Sequence, residues 1–314
     1  MEAKLSDSDS HRSISVSRYV CALVDVLGQQ AELRQLDLND DFLSLGAIEA
    51  QSDFSKTLKR CYSTIFNFRQ IIEECLASWY PTVDDIHLVD AALRERIEAA
   101  VSQGVTTRSF SDLMIVYASV ENSYTAVPLA PIWRTVCALM FCQLRALAEG
   151  RTMRGGIDLG LGFEFGQGDL YGPVLSRVYS MESDVAQYPR ILVGNRLIEF
   201  IERMSVSTEG EFGGLNCSMA KEISRAFIQD VDGHWFLDFA GRAHFEWIKA
   251  TEWPCADFFA RGHAFVRAEC ERLRKDQSSR LAFRYAHLDD YLQNCTPIWV
   301  RNVSTFGDLF SRNV

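Results

Sequence analysis

Two aspartates carry the strongest chemical signal in this chain. Asp25 ends an apolar run and opens onto a glycine turn, in Tyr-Val-Cys-Ala-Leu-Val-Asp-Val-Leu-Gly at 19–28. Asp112 sits in Ser-Phe-Ser-Asp-Leu-Met-Ile-Val-Tyr at 109–117, just before a second β-like run. Carboxylates at the ends of neighbouring buried strands can hold two Mg²⁺ ions against a triphosphate, because Mg²⁺ takes hard oxygen ligands and few protein ones. The turn Val26, Leu27, Gly28, Gln29 would add backbone N–H groups at a helix start, a natural seat for phosphates. Plainer readings stand beside these. Asp25 could cap a helix, Asp112 could be a turn residue, and the turn could be an ordinary strand-to-helix connection.

The elements that must position these residues read out in order. Residues 1–15 are Ser/Asp/Lys-rich and read as a disordered tail. Tyr19 to Val26 is apolar enough for a buried strand. Residues 51–79 show helical periodicity through Phe54, Leu58, Tyr62, Ile65, Phe66 and Ile72. Asp84 to Gln103 reads as another helix. Thr106–Phe110 and Leu113–Val120 read as two strands around a tight Ser111-Asp112 turn. A helix over 131–148, a strand over 157–165, a helix over 172–186 and a short strand over 190–193 follow. Asp232-Gly233 marks a hairpin turn, and two helices, about 254–276 and 278–294, close the chain.

Composition narrows the function. Lys plus Arg is 32 against 42 for Asp plus Glu, a formal charge of −10. Such a surface repels phosphate backbones, which argues against nucleic-acid binding as the main activity. A single nucleotide bound through a metal ion remains compatible, because the ion supplies positive charge locally. The nine cysteines are scattered, odd in number and free of any Cys-x-x-Cys pair, which predicts free thiols in a reducing cytosol. The longest apolar stretch, 131–149, is broken by Arg134, Gln143 and Arg145 and is too short to span a bilayer. The N-terminus has no apolar signal core. The expectation is a soluble, cytoplasmic protein with neither a membrane nor a nucleic-acid partner.

Two further segments complete a pattern: Arg-Gly-Gly-Ile-Asp-Leu-Gly at 154–160 and Tyr-Gly-Pro-Val-Leu-Ser-Arg-Val-Tyr-Ser-Met-Glu-Ser at 171–183. With the two aspartate motifs, in this order, they resemble the catalytic domain of class III nucleotide cyclases. The match is closest to the bacterial pyrimidine cyclases of the antiphage Pycsar type. It runs from about residue 18 to about residue 296. The resemblance implies an α+β fold of the ferredoxin-like or palm type. A central, largely antiparallel sheet would carry helices on its outer face. It also implies one cyclase domain over 16–296, an extra helical insertion at about 39–90, and a C-terminal extension over 297–314.

The same resemblance assigns roles. Asp25, Asp112 and the backbone carbonyl of Val26 would bind two Mg²⁺ or Mn²⁺ ions per site. Arg108 and Asp169 occupy the places of the base-reading Lys and its acidic partner, and would offer a donor and an acceptor to uracil or cytosine. Where most cyclases of the class carry Asn and Arg on the helix after Gly172, this chain has Ser176 and Ser180. Arg177, near the same helical face, is the expected substitute that stabilises phosphoryl charge. The implied reaction converts a pyrimidine nucleoside triphosphate, UTP first and CTP second, to its 3′,5′-cyclic monophosphate. A homodimer with composite sites would do this. The product would activate a separate effector protein in defence against phage. Two alternatives stay open: a purine cyclase making cyclic AMP or cyclic GMP, and a non-catalytic cyclase-like module that binds nucleotide. Other motifs fail. His244-Phe-Glu246 before Pro254-Cys255 lacks the second cysteine of a zinc deaminase. Gly160-x-Gly162 opens no helix. Arg154 and Arg190 rank lower, with Arg190 expected to hold the sheet edge to a carboxylate such as Glu182.

Overall fold

The computed structural model describes residues 16–27, 53–78, 95, 104–121, 127–165, 168–210, 212–249 and 255–300. Over these residues the chain is a mixed α/β protein with an eight-stranded sheet and eight α-helices. The strands are β1 (Val16–Val26), β2 (Thr106–Phe110), β3 (Leu113–Ser119), β4 (Met153–Phe165), β5 (Asp169–Tyr171), β6 (Ile191–Val193), β7 (Phe227–Gln229) and β8 (Trp235–Leu237). Their order is β2-β3-β1-β4-β6-β8-β7, with β5 pairing β4. Every pairing is antiparallel except β4 with β6.

Side-chain alternation along β1 gives the sheet two different faces. Val20, Ala22, Val24 and Val26 enter the main core. That core is built around α2 (Leu129–Ala148), most of whose side chains are buried. Pro131 is tolerated because it lies in the first turn, and Gly150, with φ at 72°, lets the chain leave the helix. Helices α1 (Asp53–Ser78), α5 (Gly213–Ser224) and α7 (Cys255–Lys275) pack on α2, and α8 (Ser279–Val300) packs on α7. Arg134, which interrupts the apolar run, is buried in α2 and donates to the Leu76 carbonyl at 2.7 Å. It satisfies a carbonyl in the last turn of α1 that the helix leaves open.

Tyr19, Cys21 and Leu23 point the other way and form a second core with α3 (Pro173–Ser180) and Leu170. Helices therefore cover both faces, not one outer face alone. The second layer is possible because β4 carries Gly156, Gly160 and Gly162 on that face. A Cβ on Gly156 would stand 2.7 Å from the Met181 Cβ, and one on Gly162 would stand 3.0 Å from a Leu170 methyl. The glycines read as strand positions are a trough in which α3 and β5 lie.

Other expectations shift at their ends. The helix expected over 172–186 is α3 followed by a π-helical turn at Met181–Val185. Strand β4 starts at Met153, before the expected 157, because its first residues pair with β6 and the end of β1. Four elements had no clear signal: β5, α4 (Asn195–Val206), α5 and α6 (Arg242–Lys249). Helix α8 continues through Pro297 to Val300, so the expected boundary at 296/297 falls inside a helix. Helix α1 occupies the middle of the expected insertion. The tail at 1–15, the insertion flanks, the helix over 84–103 apart from Glu95, and residues 301–314 lie outside the described residues. Among the described residues no helix is long and apolar enough to cross a membrane. All nine cysteines are buried, and none is part of a disulfide.

His244 on α6 is fully buried, with Nδ1 on the Phe239 carbonyl, and burial pushes its pKa down from 6.5 to about 4. The folded state refuses a proton that the unfolded chain accepts. This contribution to stability is complete above pH 6.5 and is lost as pH falls towards 4. The loss should reach roughly 3 kcal/mol. Urea denaturation across that range should show it, and His244→Gln, which has no charge to gain, should flatten the slope.

Candidate active site

Asp25 and Asp112 meet because the sheet pairs β1 with β3. Asp25 lies opposite Leu113, the residue after Asp112, and the Val26 N–H donates to the Asp112 carbonyl at 3.4 Å. Asp112 occupies the two-residue turn between β2 and β3, whose first residue, Ser111, has φ at 55°. Helix α1 holds this turn, with Arg69 Nη2 donating to the Ser111 carbonyl at 2.7 Å. On the other side of Asp25 stands its β4 partner, Arg154, with Nη2 at 3.8 Å from Oδ2. Arg154 Nε in turn lies 2.6 Å from Glu182 Oε1, off-line for a hydrogen bond, so charge holds that pair.

The electrostatics are those of crowded acid groups. Burial first, then the charges of Asp112 and Glu182, push Asp25 up from 3.8 to about 7, while Arg154 and the Val26 amide pull it down. A carboxylate that one arginine does not fully neutralise is suited to a divalent cation. Among the described residues, no three His, Cys, Asp or Glu side chains form a metal-binding group. The expected donor set is two carboxylates and the Val26 carbonyl. It fits Mg²⁺ or Mn²⁺ completed by water and phosphate, and it does not fit an all-protein cage. The Val26 and Leu27 amides donate to the Asp112 and Thr152 carbonyls. Within the turn expected to seat phosphates, those two donors are already engaged. Gly28 and Gln29 lie outside the described residues.

The structure also joins Arg108 to Asp169, Nε to Oδ1 at 3.5 Å, both well exposed. Asp169 begins β5, the antiparallel partner of β4, and the Tyr117 hydroxyl donates to the carbonyl of the adjacent Gly168. Donor and acceptor thus stand side by side at the surface.

Arg177 is brought elsewhere. Its Nε donates to Asp158 Oδ2 at 2.8 Å and its Nη2 to the Leu159 carbonyl at 2.9 Å. Asp158 lies four residues from Arg154 along β4, about 13 Å at strand spacing. Within one chain, then, Arg177 and the Asp25–Asp112 pair belong to different sites. Asp158 is buried, and its second oxygen accepts the Leu197 N–H at 3.0 Å, in the first turn of α4. Two glycines make room: a Cβ at Gly160 would stand 2.2 Å from Arg177 Nη2, and one at Gly194 would stand 2.2 Å from the Asp158 Cγ. Gly194→Ala should therefore cost roughly 1–3 kcal/mol by thermal or urea melting, because the buried carboxylate has no free direction in which to move.

In the sequence alone Arg154 ranks low and Asp158 has no role. The available signal was the alternation Arg154, Gly156, Asp158, Gly160, which places both charges on the strand face that carries Asp25. Arg190 does hold structure, as expected, but its partners are Asp230 and Asp232, with Tyr188 stacked on it at 4.4 Å. Glu182 belongs to Arg154 instead.

No protein-family model matches the chain, and no curated protein does. Among solved structures, the chain is similar to one from a bacterial light-regulated adenylyl cyclase, with 11% identity over 76% of this chain and 99% of that one, at a TM-score of 0.35. A likeness at that score carries no argument about the reaction. The functional reading rests on the residues themselves.

Proposed function

We propose that this protein is a nucleotide cyclase that acts on a pyrimidine nucleoside triphosphate, UTP first and CTP second, releasing pyrophosphate and the 3′,5′-cyclic monophosphate. The observation that carries the reading is the convergence of Asp25 and Asp112 at adjacent strand ends, with Arg154 fixed beside them. Asp25, Asp112 and the Val26 carbonyl would hold two Mg²⁺ or Mn²⁺ ions. Bound there, the ions would acidify the ribose 3′-hydroxyl and neutralise the triphosphate. Arg154, pinned by Glu182, would keep a guanidinium facing the same phosphates. Arg108 and Asp169 would read the base edge, where a donor next to an acceptor suits uracil or cytosine. Arg177, some distance along β4, would act on substrate held by a partner protomer's aspartates, which makes the working unit a homodimer. The ordered motifs of the pyrimidine cyclases favour a role in making a second messenger for antiphage defence, with a separate effector. They also favour the class III palm arrangement for the fold.

The test is direct. Purified protein is given Mn²⁺ and each of the four ribonucleoside triphosphates, and cyclic products are separated by chromatography. Product from UTP or CTP is expected. Product from ATP or GTP alone would replace the pyrimidine reading with a purine one. No product from any would leave a nucleotide-binding module, an outcome that Ser176 and Ser180 favour.

A further inference from the structure

Helix α8 lies beyond the last strand of the sheet, yet it is fastened to the start of β4, where Arg154 stands. The Tyr285 hydroxyl lies 3.4 Å from that of Thr152, two residues before Arg154. The His287 ring stacks on Tyr188 with centroids 5.7 Å apart. Further along, the Tyr291 hydroxyl accepts from the Ala240 N–H and donates to Asp238 Oδ1, both at 2.8 Å. Arg284 belongs to this anchored stretch. Its Nη2 reaches Gln187 Oε1 at 3.5 Å, just past the π-helical turn that carries Glu182.

Arg280 and Arg284 stand one helical turn apart on α8. Among the described residues neither makes an ion pair. Burial first, then the charges of Arg280 and Arg154, push the Arg284 pKa down. Three guanidiniums thus share one corner of the molecule. Only Arg154 has carboxylates beside it, Glu182 and, at 3.8 Å, Asp25. A guanidinium keeps its proton at neutral pH, so the repulsion is not relieved by titration. In a chain of net charge −10, such a local excess of cations favours a multivalent anion from outside. Neither α8 arginine lies in any of the four motifs that carry the cyclase resemblance.

We propose that Arg284, with Arg280 behind it, is a further substrate-binding residue of the active site, which takes the outer phosphates of the nucleoside triphosphate. The anion's identity rests on the nucleotide reading above; the arginine cluster does not. Arg154 meets the phosphates beside Asp25, and α8 extends the same positive edge outward. The planar fork of Arg284 suits paired phosphate oxygens. The contacts of Tyr285, His287 and Tyr291 hold the helix that presents it, so little ordering is left to be done on binding.

The experiment is calorimetric titration of the full chain with tripolyphosphate, without divalent metal. Wild type should bind. Arg284→Gln should weaken binding roughly tenfold, the effect of losing one charge-assisted hydrogen bond. Arg284→Lys, which keeps the charge but loses the planar fork, should fall between the two. Arg225→Gln is the control for bulk charge. It removes an exposed arginine paired with Glu222 and Glu246, next to β7, three strands from β4, about 14 Å at strand separation. It should bind as wild type does. In the product assay, Arg284→Gln should raise KM for the triphosphate more than it lowers kcat, as loss of a binding contact does. The proposal is overturned by wild type that does not bind tripolyphosphate, by Arg284→Gln that binds normally, or by Arg225→Gln that is weakened as much. Wild type that makes no cyclic product from any ribonucleoside triphosphate would strike the nucleotide reading instead, while the metal-free titration still decides the anion site.

Discussion

Asp25→Asn should abolish turnover and at the same time make the protein more stable. The activity loss follows from the proposed role: removing one of two metal-holding carboxylates should lower the rate by at least roughly a thousandfold, as loss of a strong electrostatic contact in a dry site does. The stability gain follows from the crowding around it. Burial and the charges of Asp112 and Glu182 hold Asp25 at about 7, well above its ordinary 3.8. A carboxyl raised in this way favours the fold while protonated. Its contribution is present below pH 3.8 and is lost as pH rises through about 7. At pH 8 the ionised group therefore costs roughly 2–4 kcal/mol, which the neutral amide avoids. Arg154 keeps Glu182 as its partner, so the substitution strands no cation. Urea denaturation at pH 8 and product assay on the same sample check both halves. Mg²⁺ or Mn²⁺ should stabilise wild type and leave the variant unchanged. A variant that is active, or markedly less stable than wild type, would remove Asp25 from the metal role.

Arg177→Ala should destabilise the protein by about 3–5 kcal/mol, because it leaves the buried Asp158 carboxylate without its counter-ion. The opposite truncation should cost less. The Asp158 side chain is 3% exposed, whereas Arg177 is 29% exposed, so a guanidinium without its partner can turn to water while the carboxylate cannot. Asp158→Ala loses the ion pair and an acceptor for α4, a penalty closer to a lost helix cap, about 1–2 kcal/mol. Thermal melts of the two single variants and the double variant form a cycle that reads the coupling. Equal costs would mean that the carboxylate is hydrated. The same cycle guards the kinetic test of Arg177, since a fall in turnover counts for catalysis only in protein that remains folded.

Much of this protein is determined locally. The run 19–26 reads as a buried strand. The Ser111-Asp112 pair between two β-like runs reads as a tight turn. Nine scattered thiols without paired spacing gave no disulfides. These features depend on neighbours within a few residues, so alternation and turn chemistry show them. The pairing of Arg108 with Asp169 was also legible, through their places in the motifs. What the sequence could not disclose depends on register. That Asp25 faces Arg154 follows from β1 lying antiparallel to β4 in one alignment. A slip of one residue would turn every side chain on β1 to the other face. The same holds for the glycines of β4, which looked like breaks in a strand and are the floor beneath α3. Only the tertiary structure decided that Arg177 would turn to Asp158 and that Glu182 would go to Arg154 rather than Arg190. Long flexible side chains reach several carboxylates of similar charge, and packing alone selects among them.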